Sequence, residues 1–310
     1  MNERVVIGTR GSELAMWQAE FVRRSLNQAF SPIDPEIKII RTTGDDVLDV
    51  ALSKIGDKGL FTRQIEGELL DGSIDLAVHS LKDLQTEQPP GLTIGAVCKR
   101  EKPNDVLISR HGRSLDELPR GAKVATGSLR RRSQLLNYRP DLEIVDIRGN
   151  VQTRLRKFEE SRIDGMILAY AGLHRLGLDD RISEIISTDV LVPAVGQGSI
   201  AVEIREGDSR IAEVANKLDH AETRACITAE RAFLRRLEGG CQVPIGGFAT
   251  LENGMLTLNG VVGSLDGKKV FRDRRSATAE DAAQLGDSVA AALLAAGADS
   301  VLEESRITAN

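Results

Sequence analysis

The chain states one local pattern twice, and this limits its fold more than any other feature. Val5-Val6-Ile7 is a short apolar run, followed by Gly8-Thr9-Arg10-Gly11-Ser12 and an apolar-periodic stretch from about Leu14 to Leu26. Lys123-Val124-Ala125 is followed by Thr126-Gly127-Ser128 and a helical stretch carrying Arg130, Arg131 and Leu135. Each reads as strand, Gly/Ser turn, helix. The next units also match. Ile37-Lys38-Ile39-Ile40 leads to Arg41-Thr42-Thr43-Gly44-Asp45 and a helix around Thr62 to Leu70. Leu142-Glu143-Ile144-Val145 leads to Asp146-Ile147-Arg148-Gly149-Asn150 and a helix around Thr153 to Glu160. Both halves then enter an acid-headed strand, through Ile74-Asp75-Leu76 in one and Ile163-Asp164-Gly165 in the other. Alternating strands and helices predict mostly parallel sheets with covered faces. The expectation is an α/β fold of two lobes with a cleft between them, ligands lying beyond the carboxyl ends of the strands.

The C-terminal part has a different rhythm. His220 to Leu237 carries helical apolar spacing at Ala225, Ala229 and Phe233. Strand-like runs at Phe248–Leu251, Met255–Leu258 and Lys269–Phe271 are punctuated by Asn253-Gly254 and Asp266-Gly267, which are hairpin signals. An Ala-rich helix follows from about Ala279 to Ala296. This predicts a small α+β C-terminal domain.

Between its first helix and first strand lies Gly239-Gly240-Cys241-Gln242-Val243-Pro244. The glycines clear space around the sulfur, so a bulky group can approach the backbone. Pro244 fixes the exit of the chain. Cys241 is either a reactive thiol in an electropositive setting or a small hydrophobe in a tight turn.

The 310 residues carry 41 Lys and Arg against 46 Asp and Glu, a net charge of −5. Anion binding must therefore come from local clusters, not from a global field. Arg10 and Arg130 follow predicted strands at helix starts, where backbone N–H groups and the helix dipole favour anions, and Ser12 and Ser128 add hydroxyls. Arg148, Arg154 and Arg175 fall at comparable places in the second half. Arginine's fork suits carboxylate or phosphate. Several such arginines imply a ligand with several acidic groups. Taken singly, Arg131, Arg132 and Arg156 read as solvated helix faces.

His79-Ser80-Leu81-Lys82-Asp83 directly follows a buried strand. Asp83 is either a salt-bridge partner or the one acid–base group. The stretch Gly44 to Gly59 carries charges, three glycines and little periodicity. It reads as a mobile lid with Lys54 and Lys58 or as a plain solvated loop.

Several classes are disfavoured. Aromatics make up 3% of residues, poor equipment for stacking bases, so a nucleic-acid partner is not expected. Three widely spaced cysteines make no disulfide framework, and four scattered histidines suggest no metal site. No apolar run is long enough for a membrane span and no secretion signal is read, so a cytoplasmic setting is expected, or a plastid if a transit segment is missing.

Taken together, these stretches resemble hydroxymethylbilane synthase, or porphobilinogen deaminase, of tetrapyrrole biosynthesis. The resemblance rests on Gly8-Thr9-Arg10 with Ser12, His79 to Asp83, Gly127-Ser128-Leu129-Arg130-Arg131, Arg148-Gly149-Asn150 with Thr153-Arg154, Ala171-Gly172-Leu173 with Arg175, Pro193 to Gly198, and Leu237 to Gly246, in family order. It implies two periplasmic-binding-protein-like (type 2) lobes plus a C-terminal domain, bounded at 1–98 with 199–216, 99–198 and 217–310. It implies a monomeric transferase with a dipyrromethane cofactor joined by a thioether to Cys241. Porphobilinogen is the implied substrate, four units being condensed head to tail with loss of ammonia. Asp83 matches the family's catalytic aspartate, whose carboxylate stabilises developing positive charge. Arg10, Arg130, Arg131, Arg148, Arg154 and Arg175 would bind acetate and propionate groups, assisted by Lys82. Ser12, Ser80, Thr126, Ser128 and Gln197 would add hydrogen bonds. Lys54 and Lys58 match basic positions of the family's active-site loop.

Two positions depart from the family pattern. Gln85 stands where proline is usual, which predicts a looser turn at Asp83. Gly127 stands where serine is frequent. The competing reading is a non-catalytic solute-binding protein for a small polyanion, since fold does not fix function.

Overall fold

The structure is a computed structural model and describes residues 3–29, 33–43, 62–238 and 243–309. It forms two compact units. The first holds the described residues up to Thr43, then Thr62 to Glu101 and Ser199–Arg224; the second holds Lys102–Gly198 and the described residues from Ala225 onward.

In the first unit β1 (Glu3–Thr9) lies between β2 (Ile33–Ile39) and β3 (Leu76–Ser80), parallel to both. β10 (Ile200–Arg205) is then inserted antiparallel between β3 and β4 (Leu92–Val97). Helices α1 (Glu13–Ala29), α2 (Arg63–Leu70) and α6 (Ser209–Asn216) cover the sheet. Side chains alternate across a strand, which sorts them to two cores. Val5, Ile7, Leu76 and Val78 pack with Ala19, Val22 and Leu26 of α1 and Ile211 and Val214 of α6. Ala77 packs on the other face with Ile65 and Leu69 of α2. Leu26 is fully buried, so truncating it to alanine costs about 2–5 kcal/mol.

The second unit repeats this topology. β6 (Lys123–Ala125) is parallel to β7 (Glu143–Val145) and β8 (Gly165–Ala169). β5 (Asp105–Ser109) is inserted antiparallel between β8 and β9 (Glu184–Ile185). Its helices are α3 (Leu129–Tyr138), α4 (Val151–Glu160) and α5 (Tyr170–Arg175). The expectation of mostly parallel sheets is corrected, because two of the four pairings in each sheet are antiparallel. The physical reason is chain routing. The inserted strand is the one that follows directly on a passage between units, β5 after Lys102 and β10 after Ser199, and it enters its sheet from the opposite end.

The repeat extends to single side chains. Asp75 and Val6 exchange two hydrogen bonds, Val6 N–H to Asp75 Oδ2 and Asp75 N–H to Val6 O, both at 2.8 Å. Asp164 and Lys123 do the same at 2.8 and 2.9 Å. The acid heading each of these strands thus pins it to its neighbour.

The C-terminal elements also belong to the second unit, apart from the first residues of α7 (Ala221–Arg236). β11 (Ile245–Glu252), β12 (Met255–Gly263) and β13 (Val270–Thr278) form an antiparallel sheet. The first hairpin turns through Asn253 (φ 51°) and Gly254 (φ 77°), both left-handed, as a two-residue turn requires. Helices α8 (Ala282–Ala295) and α9 (Ala298–Ala309) complete the domain. Its core centres on fully buried Phe233. Gly247 and Gly260 make room for this ring, since an added Cβ would lie 2.9 and 2.8 Å from it.

Candidate functional site

Two groups of polar residues form at strand ends. In the first unit, adjacent parallel strands β1 and β3 bring Thr9 and Ser80 to one edge of the sheet. Half-buried Arg10 follows β1. The Ala15 N–H donates to Ser12 Oγ at 3.3 Å as α1 begins. Gln18 Nε2 donates to Ser80 Oγ at 2.8 Å, tying α1 to the end of β3.

Leu81-Lys82-Asp83 then makes a single 3-10 turn. The Leu81 N–H donates to Ser199 O at 3.0 Å and the Leu84 N–H to Leu81 O at 3.1 Å. Leu81 and Leu84 are 1% and 7% exposed, so the turn is anchored on both sides, while Lys82 is half-buried and Asp83 exposed. Two buried leucines thus flank the turn that has Gln85 in place of a proline.

Behind the turn, His79 is buried with its Nε2 3.3 Å from Glu203 Oε2 on the neighbouring strand. Glu66 of α2 is also buried. Burial pushes its carboxyl above the ordinary value, and Glu203 adds to this, against the opposing pull of a Thr62 hydrogen bond, His79 and Arg63.

In the second unit, the Thr126 N–H donates to Val145 O at 2.9 Å and the Ser128 N–H to Thr126 Oγ1 at 3.2 Å. Ser128 caps α3 by accepting the Arg131 N–H at 3.4 Å. Asn150 caps α4 through the Thr153 N–H at 2.9 Å. Arg148 Nε pairs with Asp146 Oδ2 at 3.0 Å, and Arg154 Nε donates to Gly149 O at 2.7 Å. The Arg148 pair is partly exposed and worth ~0–1 kcal/mol, so a ligand carboxylate can displace Asp146. Gly127 leaves room beside it: a Cβ there would lie 2.9 Å from Asp146 Oδ1.

Arg130 and Arg131 are 4% and 6% exposed, so Arg131 is not the solvated helix-face residue that its sequence position suggests. Both pair with Asp105, which is fully buried and was not singled out in the sequence. The missed signal was a carboxylate heading the apolar run Val106-Leu107-Ile108. Burial alone would raise the Asp105 carboxyl. The two guanidinium groups overcome this and hold it well below the usual carboxylate range. Burial and Arg131 push Arg130 below its ordinary value, against the pull of Asp105. Arg132, by contrast, is exposed and donates to Leu265 O at 3.1 Å. Arg175 is buried and donates to Gly198 O at 2.6 Å; Gln197 Nε2 donates to Pro103 O at 2.6 Å and Asp105 Oδ1 at 3.0 Å.

The structure thus gathers Arg10, Ser12, Ser80, Lys82 and Asp83 in one unit, and places Thr126, Ser128, Arg130, Arg131, Arg148, Arg154, Arg175 and Gln197 in the other. Cys241, Lys54 and Lys58 lie outside the described residues. Among the described residues, Cys98 and Cys226 are buried, and no group of three or more His, Cys, Asp or Glu could hold a metal ion.

Residues 5–213 match the family described as porphobilinogen deaminase, dipyromethane cofactor binding domain, and residues 224–295 match porphobilinogen deaminase, C-terminal domain. The protein named porphobilinogen deaminase from Pelotomaculum thermopropionicum is 54% identical, covering 99% of this chain and 98% of that one. Its namesake from Carboxydothermus hydrogenoformans is 51% identical, covering 100% of both. Among solved structures, the periplasmic VFT2 domain of Bordetella pertussis BvgS is similar at 15% identity and a TM-score of 0.40, covering 70% of this chain and 86% of that one. Identity above one half along the full length of both partners fixes the kinship: this chain belongs to the porphobilinogen deaminase family.

Proposed function

We propose that this chain performs the hydroxymethylbilane synthase reaction of its family with Asp83 as the acid–base group and Cys241 as the point of cofactor attachment. The family consists of transferases that act on porphobilinogen and carry a dipyrromethane cofactor. Membership goes against the reading as a non-catalytic polyanion-binding protein. The observation that carries the residue assignment is the placement of Asp83, an exposed carboxylate on an anchored turn at the sheet edge shared with Arg10 and Ser12.

The residues present suit an acid-rich pyrrole chain. The donor set consists of arginines and hydroxyls, and Arg130 and Arg131 share the one carboxylate of Asp105, which leaves them a positive charge in excess. The dipyrromethane, when bound, supplies the pyrrole carbon to which the first substrate unit is joined. Arg10, Arg130, Arg131, Arg148, Arg154 and Arg175 would take acetate and propionate groups, with Lys82 assisting. Ser128 still has its hydroxyl proton to donate, because its cap bond uses it as an acceptor. Ser12, Ser80, Thr126 and Gln197 would add hydrogen bonds. Asp83 would accept pyrrole N–H groups, offset positive charge as ammonia leaves and hold the transferred proton on a carboxylate oxygen. Lys54 and Lys58 would serve as basic groups of an active-site loop.

The reading includes three domains, 1–98 with 199–216, 99–198 and 217–310, supported by separate hydrophobic cores. It includes a cytoplasmic monomer that binds no nucleic acid. The large exposed hydrophobics Ile39, Leu70, Tyr138, Ile185 and Met255 stand on five different elements, which supports the monomer. Among the described residues no single helix is long and apolar enough to cross a membrane.

The test is the intact mass of the cofactor-free protein before and after incubation with porphobilinogen, beside Cys241→Ser. The native chain should gain the mass of one dipyrromethane and the variant none. A native chain that gains nothing, or a variant that gains as much, would overturn the assignment.

A further inference from the structure

Asp105 opens β5, just after the chain enters the second unit. Three side chains converge on it. Arg130 Nη1 donates to Oδ2 at 2.7 Å. Arg131 donates to Oδ1 through Nε at 3.0 Å and Nη2 at 2.7 Å. Gln197 Nε2 donates to Oδ1 at 3.0 Å. Each donor has a second anchor on a backbone carbonyl. Arg130 Nη1 reaches Val192 O at 2.7 Å, Arg131 Nη1 reaches Ile167 O at 3.1 Å and Gln197 Nε2 reaches Pro103 O at 2.6 Å. All four side chains are less than a tenth exposed. Long side chains held at two points in a dry setting have lost their rotamer freedom before any ligand arrives.

The charges do not balance. Two guanidinium groups face one carboxylate, and both of their ion pairs go to that carboxylate. A buried charge in excess is unfavourable until a counter-charge is supplied.

We propose that Asp105 is a positioning residue that fixes Arg130, Arg131 and Gln197 in advance and leaves the buried group one positive charge in excess, matched to a single ligand carboxylate. The inference rests on the assignment of ligand carboxylates to these arginines. Asp105 itself touches no ligand and acts through its three partners. Asparagine at this place would keep the shape, lose the charge and turn an N–H group toward a guanidinium.

The test compares Asp105→Asn, Asp105→Glu and the double variant Asp105→Asn/Arg130→Gln, each prepared without cofactor and incubated with porphobilinogen. The double variant has the same net charge at this place as the native protein but no carboxylate anchor. Adduct formation is followed by intact mass, folding by circular dichroism, and KM and kcat are measured on the loaded fraction. Asp105→Asn should melt cooperatively, load at least tenfold more slowly than native and show a KM raised about tenfold, with kcat per loaded molecule changed less than threefold, and the double variant, its net charge restored, should load no faster. Asp105→Glu should recover part of the loading rate. Loading of the double variant at the native rate would overturn the positioning role.

A second measurement reads the native protein and does not depend on how the Asp105 variants fold. The Arg131 Nε–H signal in nitrogen-15 spectra, assigned by its loss in Arg131→Lys, should exchange slowly with solvent in the cofactor-free chain; rapid exchange would overturn the inference. Failure of the underlying functional assignment looks different, because then the native chain itself gains no mass from porphobilinogen.

Discussion

Glu230 Oε2 accepts the backbone N–H of Gly196 at 2.8 Å, and its Oε1 accepts the N–H of Ala249 at 2.8 Å. Glu230 is fully buried on α7. One carboxylate thus joins the segment that ends in Gln197 to the first strand of the C-terminal sheet, beside a backbone bond from the Gly247 N–H to Pro193 O at 3.0 Å. Glu230→Ala removes the acceptor for both backbone donors in a buried place. At about 1–3 kcal/mol per buried donor left unsatisfied, the loss in unfolding free energy is roughly 2–6 kcal/mol. Glu230→Gln keeps one carbonyl acceptor and should lose less. Urea unfolding followed by circular dichroism measures both, and a midpoint equal to native for the alanine variant would show that these bonds contribute nothing.

Asp83→Ala should fold and acquire cofactor but turn over no further porphobilinogen into tetrapyrrole product. Folding is expected to survive because Asp83 is exposed and the turn is held by Leu81 and Leu84. Removing a group that stabilises charge only as it develops lowers kcat and kcat/KM together. Near-native turnover in this variant would take Asp83 out of the mechanism.

Arg148→Ala and Arg154→Ala should stall chain growth at different lengths, read as different masses of the trapped protein. Among the described residues Arg148 pairs with an exposed Asp146, so its loss should leave stability within about 0.5 kcal/mol of native. Arg154 also donates to Gly149 O at the start of α4, so its loss should lower the melting temperature as well. Normal product from both variants would mean that these arginines hold no ligand carboxylate.

The doubling of the fold was legible because it is local. β1 with α1 and β6 with α3 each lie within one short stretch of chain, and the apolar spacing declares them. The acid heads at Asp75 and Asp164 were visible as a pattern, though their reciprocal bonds to Val6 and Lys123 were not. β5 and β10 were not legible as antiparallel inserts, because their direction depends on how the chain passes between units and not on any residue within them. Asp83 stood out in the sequence because it directly follows a buried strand, though the residues alone left it either a salt-bridge partner or an acid–base group. Asp105 was missed, and Arg131 read singly as a surface residue, for one reason: their charges are buried against each other across 26 positions, with Arg130 sharing the same carboxylate. A pattern of single residues cannot express a buried pair whose partners come from different elements.

Glu66 sets a sign for the pH dependence of stability in the first unit. Its folded carboxyl titrates above the ordinary glutamate value, chiefly through burial and also through Glu203 on β10. Thr62, His79 on β3 and Arg63 on its own helix pull the other way without reversing it. Between the unfolded and folded values the folded chain binds more protons than the unfolded one, so stability falls as pH rises through that window. Glu66→Gln mimics the protonated side chain and removes the titration. The variant should therefore gain on the native protein as pH rises from 4 to 7, reaching a melting temperature roughly 1–4 °C higher at pH 7, with little difference at pH 4. Acid effects shared by the whole chain cancel in this comparison. A variant that melts at or below the native temperature at pH 7 as well as at pH 4 would show that Glu66 is held as a stabilising carboxylate, with Thr62, His79 and Arg63 outweighing its burial.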